Sequence, residues 1–535
     1  MIITQLNLTD RKGGAAIAAY RLHKGLKKIG QDSYMLVRKK VSSDKKIFQI
    51  GMKEGRTNRV KTIFWSKFLQ KEYINDNRSE LSNSVFSLPY PGYDLTKLKI
   101  LRETDIINMH WVAYFQSIVS LRKLFRTGKP VVWTLHDQWA FSGGCHYSAG
   151  CNGYIDECAV CPQLNADPHH LPQAVLRDKI EYFKDTGLTV VTPSKWLAAC
   201  AKKSKLFKNL RIEVIPNSLE TDRFFPISEK EAKKNAGVPE DSLTLLFVAE
   251  INSEKRKGFK ELLDALHFCK KDARFKQLLQ KNMIHILCLG KPSSELNRTG
   301  IPLKPLGYLK SEAKIRNAYN AADLYILSSL EDNLPNTMLE AMACGTPVVS
   351  FDVGGMPDMI KDGETGALAK NRDPEKLGGA ILGLLFDPEK RQEVGINCRR
   401  LIEQKYDLQH QAENYLALYK DLIKQNRAGR GSVFTAGSIP KRASGKNGGE
   451  FEESGELNIV KLDGGLSPIV KKIFAGIVKK GIVAAVPGST APVRVLKALT
   501  QFVLYITPVS LIIFLYRMTP GKIKKNWQKQ LKEQE

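Results

Sequence analysis

The sequence predicts an α/β protein made of two doubly wound parallel sheets, and three observations carry that prediction. Short apolar runs alternate with stretches of helical spacing, as parallel strands joined by crossover helices require. Val131-Val132-Trp133-Thr134-Leu135 and Leu188-Thr189-Val190-Val191 belong to a first alternation. Leu243-Thr244-Leu245-Leu246-Phe247-Val248, Ile284-His285-Ile286-Leu287-Cys288-Leu289, Leu324-Tyr325-Ile326-Leu327 and Val348-Val349-Ser350-Phe351 belong to a second. At 535 residues the chain exceeds one core, so two or three domains are expected. A hydrophobic content of 43% with 26% charged residues is globular.

The first element is the strand Met1-Ile2-Ile3-Thr4-Gln5-Leu6-Asn7, followed by Lys12-Gly13-Gly14-Ala15-Ala16 and a helix ending near Gly30. Gly13 and Gly14 at this turn let backbone approach a ligand closely, and the helix start favours phosphate. His110, in Asn108-Met109-His110-Trp111, ends another strand, and His136 ends the strand Val131 to Leu135. Ligands of such sheets sit at strand C-termini, so His136 points into a cleft, with Asp137 placed to orient it.

Cys145, Cys151, Cys158 and Cys161 cluster in an insert at 143–163. No basic-then-apolar export segment opens the chain, so the nine cysteines are expected as thiols or metal ligands. Four thiolates can close a tetrahedral zinc site, with His146 as a spare ligand, which leaves a structural zinc and plain thiols as alternatives.

The stretch from Leu324 to Val349 reads strand, acidic polar loop, helix, Gly-Thr-Pro turn, strand. Asn333 or Asn336 can cap the helix, and Gly345 stops it. The loop Asp332-Asn333-Leu334-Pro335-Asn336-Thr337 ends in a helix N-terminus, whose backbone N–H groups and dipole suit a diphosphate. Asp332 and Glu340 stand eight apart. A glutamate facing such a site is costly unless it bonds a ligand hydroxyl, such as a ribose.

This segment resembles the donor-binding motif of retaining glycosyltransferases of family 4, written Glu, seven residues, Glu, with Asp332 at the first position. Further runs resemble the same family. The glycine loop at Gly13 and Gly14 matches one facing the donor phosphate and the acceptor. Val214-Ile215-Pro216-Asn217-Ser218-Leu219-Glu220 resembles the interdomain junction, with Ser218 where Gly is usual. Pro305-Leu306-Gly307-Tyr308-Leu309 resembles the base-side loop. Glu254-Lys255-Arg256-Lys257-Gly258-Phe259 resembles the phosphate-binding loop, with Lys257 as the phosphate cation and Arg256 its partner, although a solvated basic turn reads the same way. The resemblance implies that His136 contacts the donor sugar and its phosphate. It also implies attack from the face the leaving phosphate occupies, that phosphate taking the acceptor proton. Catalytic roles thus fall to His136, Lys257 and Glu340, with no cofactor required. The Cys-rich insert is similar to those of colanic-acid-type bacterial polysaccharide glycosyltransferases.

The implied architecture is GT-B. Residues 1–218 form an acceptor-side Rossmann-like domain, 219–404 a nucleotide-sugar-binding one, and 405–425 a helix crossing back to the first. Residues 426–458, rich in Gly, Ser, Lys and Glu, read as a flexible linker. Residues 459–535 read as a basic amphipathic and hydrophobic membrane-associated tail. Lysine pairs at 471–472 and 479–480 flank apolar pairs at helical spacing. Residues 498–516 carry no charge, long enough for one crossing or for a buried helix hairpin.

Net charge is +27, and residues 426–535 hold 18 Lys and Arg against 7 Asp and Glu. Such a chain seeks nucleic acid, an acidic substrate or an anionic membrane. No nucleic-acid motif accompanies the charge, so nucleic acid is excluded and an anionic membrane surface is the expected partner. The function expected is transfer of a sugar from a nucleotide sugar to a glycan or lipid-linked oligosaccharide, at the cytoplasmic face of the inner or plasma membrane. A sugar-nucleotide epimerase, a phosphorolytic enzyme and a noncatalytic glycan-assembly scaffold are the alternatives.

Overall fold

The computed structural model describes residues 1–53, 65–90, 92–249, 254–431 and 459–461. Two all-parallel sheets dominate it. The first runs in the order β3-β2-β1-β5-β6-β7-β8. Its strands are β1 (Ile2–Thr9), β2 (Asp32–Lys39), β3 (Ile47–Gln49), β5 (Ile106–Met109), β6 (Val131–Thr134), β7 (Thr189–Thr192) and β8 (Arg211–Val214). A separate short strand, β4 (Gly51–Lys53), pairs in parallel with β15 (Ile459–Lys461). The second sheet runs β11-β10-β9-β12-β13-β14. Its strands are β9 (Leu243–Ala249), β10 (Ile284–Gly290), β11 (Leu303–Gly307), β12 (Leu324–Leu327), β13 (Val348–Phe351) and β14 (Ala367–Ala369).

Every residue of β5, β6, β7, β12 and β13 is buried. That is why these short runs are apolar throughout: helices cover both faces, and no alternation survives. Strand order reverses between β1 and β5 in the first sheet and between β9 and β12 in the second. Crevices of doubly wound sheets open at those reversals, beyond the strand C-termini. The segments that follow β1, β5, β6, β9 and β12 contain the sequence-selected residues, apart from Gly307, which closes β11.

Helix α1 (Gly14–Lys28) starts directly after β1, with Gly13 before it at φ +94°. Its inner face carries Ala16, Ala18, Ala19, Leu22 and Leu26, all buried. The long Leu408–Gly431 helix lies against this lobe. Its Ala412, Tyr415, Leu418, Tyr419 and Leu422 share a cluster with Ile3, Leu22, Leu26, Val132 and Val191. Asn108 Nδ2 donates to the Tyr419 hydroxyl at 2.8 Å, and the Tyr415 hydroxyl lies 3.0 Å from Thr134 Oγ1. Burying two phenols requires partners of this kind.

One part of the expected fold class needs correction. What the described residues form is two Rossmann-like sheets in a GT-B-like arrangement, and no helix among them is long and apolar enough to cross a membrane. Residues 432–458 and 462–535, which that expectation drew on, lie outside the described residues.

Candidate active site

The acidic loop after β12 and the basic turn before the Phe259–Cys269 helix meet at the second sheet's reversal. Lys257 Nζ lies 2.7 Å from Asp332 Oδ2, and Arg256 Nη1 lies 3.1 Å from the same oxygen. Burial alone would raise the Asp332 carboxyl, but the charges of Lys257 and then Arg256 outweigh it and hold it well below the usual carboxylate range. Arg256 is packed over the Tyr147 ring at 4.3 Å and also pairs with Glu254 at 2.7 Å. The Lys257 side chain is 31% exposed and that of Arg256 only 11%, so Lys257 is the cation with room to turn toward a ligand.

This convergence depends on close backbone packing. Gly258 has φ +65°, and a Cβ there would lie 1.8 Å from the Ser328 carbonyl oxygen. Gly354, at φ +57°, would meet the Asp332 carbonyl at 1.9 Å. Only glycine allows these segments to approach so closely.

The first lobe closes on the loop from the other side. The Tyr147 hydroxyl donates to Asp332 Oδ1 at 3.2 Å. Glu331, buried beside it, accepts from the Ala149 N–H at 3.0 Å and from Asn83 Nδ2 at 3.2 Å. Ser194 Oγ donates to Asn333 Oδ1 at 2.5 Å, and Asn333 Nδ2 donates to the His136 carbonyl at 3.3 Å. Asn217 Nδ2 donates to the Leu334 carbonyl at 3.2 Å, and Asn336 Nδ2 to the Gly14 carbonyl at 2.9 Å. These contacts explain a local difference from the sequence expectation. The helix runs Asn336–Ala343 with Pro335 at its N-cap and no side-chain cap: the Asn333 amide is held by Ser194 and the His136 carbonyl, and Asn336 already lies inside the first turn with its Nδ2 on the Gly14 carbonyl. Thr337 Oγ1 accepts from the Tyr325 hydroxyl at 2.9 Å.

Glu340 is one turn into that helix. Its Oε1 accepts from Arg21 Nη2 at 2.8 Å and its Oε2 from the Tyr319 hydroxyl at 3.2 Å. Burial raises its carboxyl above the ordinary range, with Arg21 and Tyr319 opposing. Arg21 Nε also donates to Glu220 Oε2 at 2.9 Å.

His136 meets His110: Nε2 of the former lies 3.1 Å from Nδ1 of the latter, and the rings stack at 5.4 Å. Burial lowers His136 to about 4, so it is neutral at pH 7. Asp137 does not orient His136. Its Oδ2 lies 2.6 Å from His146 Nδ1 and accepts from Trp111 Nε1 at 2.8 Å. Gly13 sits at φ +94° and Gly307 at φ +67°, the latter closing β11, and an added Cβ would meet nothing within 4 Å at either.

The structure thus brings Arg256, Lys257, Asp332, Asn333 and His136 together, with Gly14 and Asn336 in contact nearby. Sequence reasoning did not single out Arg21, Glu331, Tyr147 or Ala149, and it read Glu220 only as part of the junction. The available signal for Arg21 was its position on the alanine-rich face of α1, where a charge needs a buried partner.

The expected zinc site is not sustained. Cys145, Cys151, Cys158 and Cys161 are free thiols. Among the described residues, no three His, Cys, Asp or Glu side chains are grouped so as to hold a metal ion. Burial pushes Cys158 up to about 12 and Cys161 up to about 11, which favours the protonated form. The insert instead delivers Tyr147, Ser148 and Ala149 to the acidic loop.

Two facing Rossmann-like sheets, with charged loops meeting at their reversals, define a protein of the GT-B class. Residues 242–387 match the family described as glycosyl transferases group 1. A colanic acid biosynthesis glycosyl transferase of Escherichia coli, WcaC, is 23% identical over 65% of this chain and 83% of its own length. D-inositol 3-phosphate glycosyltransferase 2 of Catenulispora acidiphila is 27% identical over 35% of this chain and 45% of its own. The chain spans about half the length of the first curated relatives it matches. Among solved structures, sucrose-phosphate synthase of Thermosynechococcus elongatus aligns with a TM-score of 0.54 at 17% identity, covering 79% of this chain and 100% of that one. Anabaena HepE, solved with UDP and glucose, aligns with a TM-score of 0.51 at 17% identity, covering 81% and 100%. These likenesses give the chain the GT-B fold and relate it to glycosyltransferases of the group 1 and colanic-acid types.

Proposed function

We propose that this chain transfers a sugar from a nucleoside-diphosphate sugar to a glycan acceptor, with retention at the anomeric carbon. The observation that carries the reading is the convergence of Lys257 and Arg256 on Asp332, directly before the helix that starts at Asn336. As the glycosidic bond to phosphate breaks, negative charge grows on the leaving diphosphate. Fixed cations and backbone N–H groups at that point stabilise it, commonly as the largest single contribution to rate. Lys257 has the exposure to turn from Asp332 toward the phosphate, while Arg256 stays packed on Tyr147. Glu340 accepts from a ribose hydroxyl, and neutral His136 faces the sugar and its phosphate from the first lobe. The glycine turn at Gly13 and Gly14 borders the acceptor side, and Gly307 the base side.

In this reading residues 1–218 form the acceptor lobe, 219–404 the donor lobe, and 405–425 the return to the first. Similarity to a colanic acid biosynthesis glycosyl transferase supports a polysaccharide as acceptor; that the acceptor is lipid-linked and reached at the cytoplasmic face of the membrane is carried by the sequence reading alone. The test is a panel of UDP-, GDP- and ADP-sugars scored by thermal shift and by release of nucleoside diphosphate. The expected result is one donor class that raises the melting temperature, because it binds only the folded chain. A panel in which no donor stabilises the protein would refute the proposal.

A further inference from the structure

Arg21 is a charged side chain that the transfer reaction as described does not use. It is 3% exposed, and it lies at the meeting of the two lobes. Its Nε donates to Glu220 Oε2 at 2.9 Å and its Nη2 to Glu340 Oε1 at 2.8 Å. Lys24, one turn further along α1, holds the other Glu220 oxygen at 2.9 Å, and the Phe224 ring lies 5.7 Å from the Arg21 guanidinium. The guanidinium is therefore fixed from two sides. Its Nη1 is buried with no hydrogen-bond partner among the described residues.

A buried guanidinium with an unused donor group is costly to keep. What it achieves here is visible at Glu340. An ionised carboxylate offers about four lone-pair sites. Arg21 occupies one on Oε1 and the Tyr319 hydroxyl one on Oε2. One site on each oxygen is left, an arrangement suited to two neighbouring hydroxyls.

We propose that Arg21 is a positioning residue: from the first lobe, it fixes the Glu340 carboxylate of the second lobe so that its remaining lone pairs accept the vicinal hydroxyls of a donor ribose. This rests on the reading of Glu340 as a hydroxyl acceptor. The groups facing Glu340 are Arg21 from α1, Glu220 from the junction, Tyr319 from the Glu312–Asn320 helix, Tyr325 from β12 and Cys344 from the end of its own helix. Arg21 is the cation among them. Because its helix belongs to the other lobe, selectivity for the ribose depends on the lobes being closed.

The experiment compares UDP with 2′,3′-dideoxy-UDP by calorimetry on the full chain, repeated with GDP and ADP pairs. The intact protein is expected to prefer the ribose form roughly tenfold or more, since each hydrogen bond to a charged group contributes at about that level. In Arg21→Gln that preference should fall to near unity while affinity for the dideoxy form is kept, and Arg21→Lys should recover part of it. Equal weakening of both forms would mean that Arg21 only supports the fold, and that result overturns the inference, as does a preserved preference. Should Arg21→Gln not fold, Glu220→Gln removes the second anchor and leaves the Glu340 contact. An intermediate preference then supports the assignment and an unchanged one overturns it. If the intact chain binds nucleotide without any ribose preference, the reading of Glu340 fails and the inference with it. If it binds no nucleoside diphosphate, the proposed function fails first.

Discussion

Lys257 Nζ and Asp332 Oδ2 lie 2.7 Å apart, although 75 positions separate the two residues in the chain. Arg256 approaches the same oxygen at 3.1 Å. One carboxylate thus holds two cations beside the start of the Asn336–Ala343 helix. The arrangement keeps positive charge on largely buried side chains, and it sets the terms on which a phosphate group enters.

Replacing Lys257 by alanine should separate binding from folding. Arg256 still neutralises Asp332, and Lys257 is partly exposed, so the stability loss should be only about 1 kcal/mol. Nucleoside diphosphate affinity should fall by roughly tenfold or more, since a charge-assisted contact to phosphate is removed. Calorimetry and a denaturation curve on the same preparation check both halves. Unchanged affinity would remove Lys257 from the donor site.

Gly258→Ala should be far more disruptive than its size suggests. The residue sits at φ +65°, and an added Cβ would fall 1.8 Å from the Ser328 carbonyl oxygen. Left-handed strain and a backbone clash act together, for a loss of about 3 kcal/mol or more. Urea denaturation measures it. A near-neutral substitution would mean that the basic turn and β12 are not packed as described.

Much of this was legible in the sequence, for identifiable reasons. Strands such as Val131-Val132-Trp133-Thr134 and Leu324-Tyr325-Ile326-Leu327 are buried on both faces, so continuous apolar runs marked them. Lys257-Gly258 and the Asp332 to Glu340 spacing were singled out through the resemblance to family 4 glycosyltransferases, and the fold brings Lys257 to Asp332. Partnerships across the cleft were not readable. Nothing local in α1 says that Arg21 will meet Glu340, since only the docking of two lobes brings them together. Asp137 illustrates the same limit: adjacent to His136 in sequence, it faces His146 at 2.6 Å because the insert folds back onto it. The cysteine spacing suggested zinc, whereas the insert's closest ties to the site run through Tyr147 and Ala149.

His136 should make stability sensitive to mild acid. Burial holds it at about 4 in the folded chain against an ordinary value of 6.5. The unfolded chain therefore binds a proton first as pH falls. The stabilisation is fully present above about pH 6.5 and is lost as pH drops toward 4, by up to roughly 3 kcal/mol. His136→Asn should flatten the stability profile across that window, read from denaturation midpoints at half-unit steps. A profile of unchanged slope would place the acid sensitivity elsewhere, with His110 the next group to substitute.

Asp332→Asn gives the sharpest test of the double ion pair, because stability and affinity should move in opposite directions. Removing one partner of a buried pair leaves Lys257 and Arg256 facing a neutral amide, at a cost on the order of 3 kcal/mol. Those same two cations then no longer have Asp332 as a competitor. A nucleoside diphosphate or inorganic pyrophosphate should bind more tightly, by roughly threefold to tenfold, with a steeper dependence on salt. The less stable protein should therefore gain more from ligand in a thermal shift than the parent does. If the asparagine variant is destabilised and also binds diphosphate less well, Asp332 is not the anion's competitor. It would then be part of the ligand's own coordination, and the two cations would owe their placement to the fold alone.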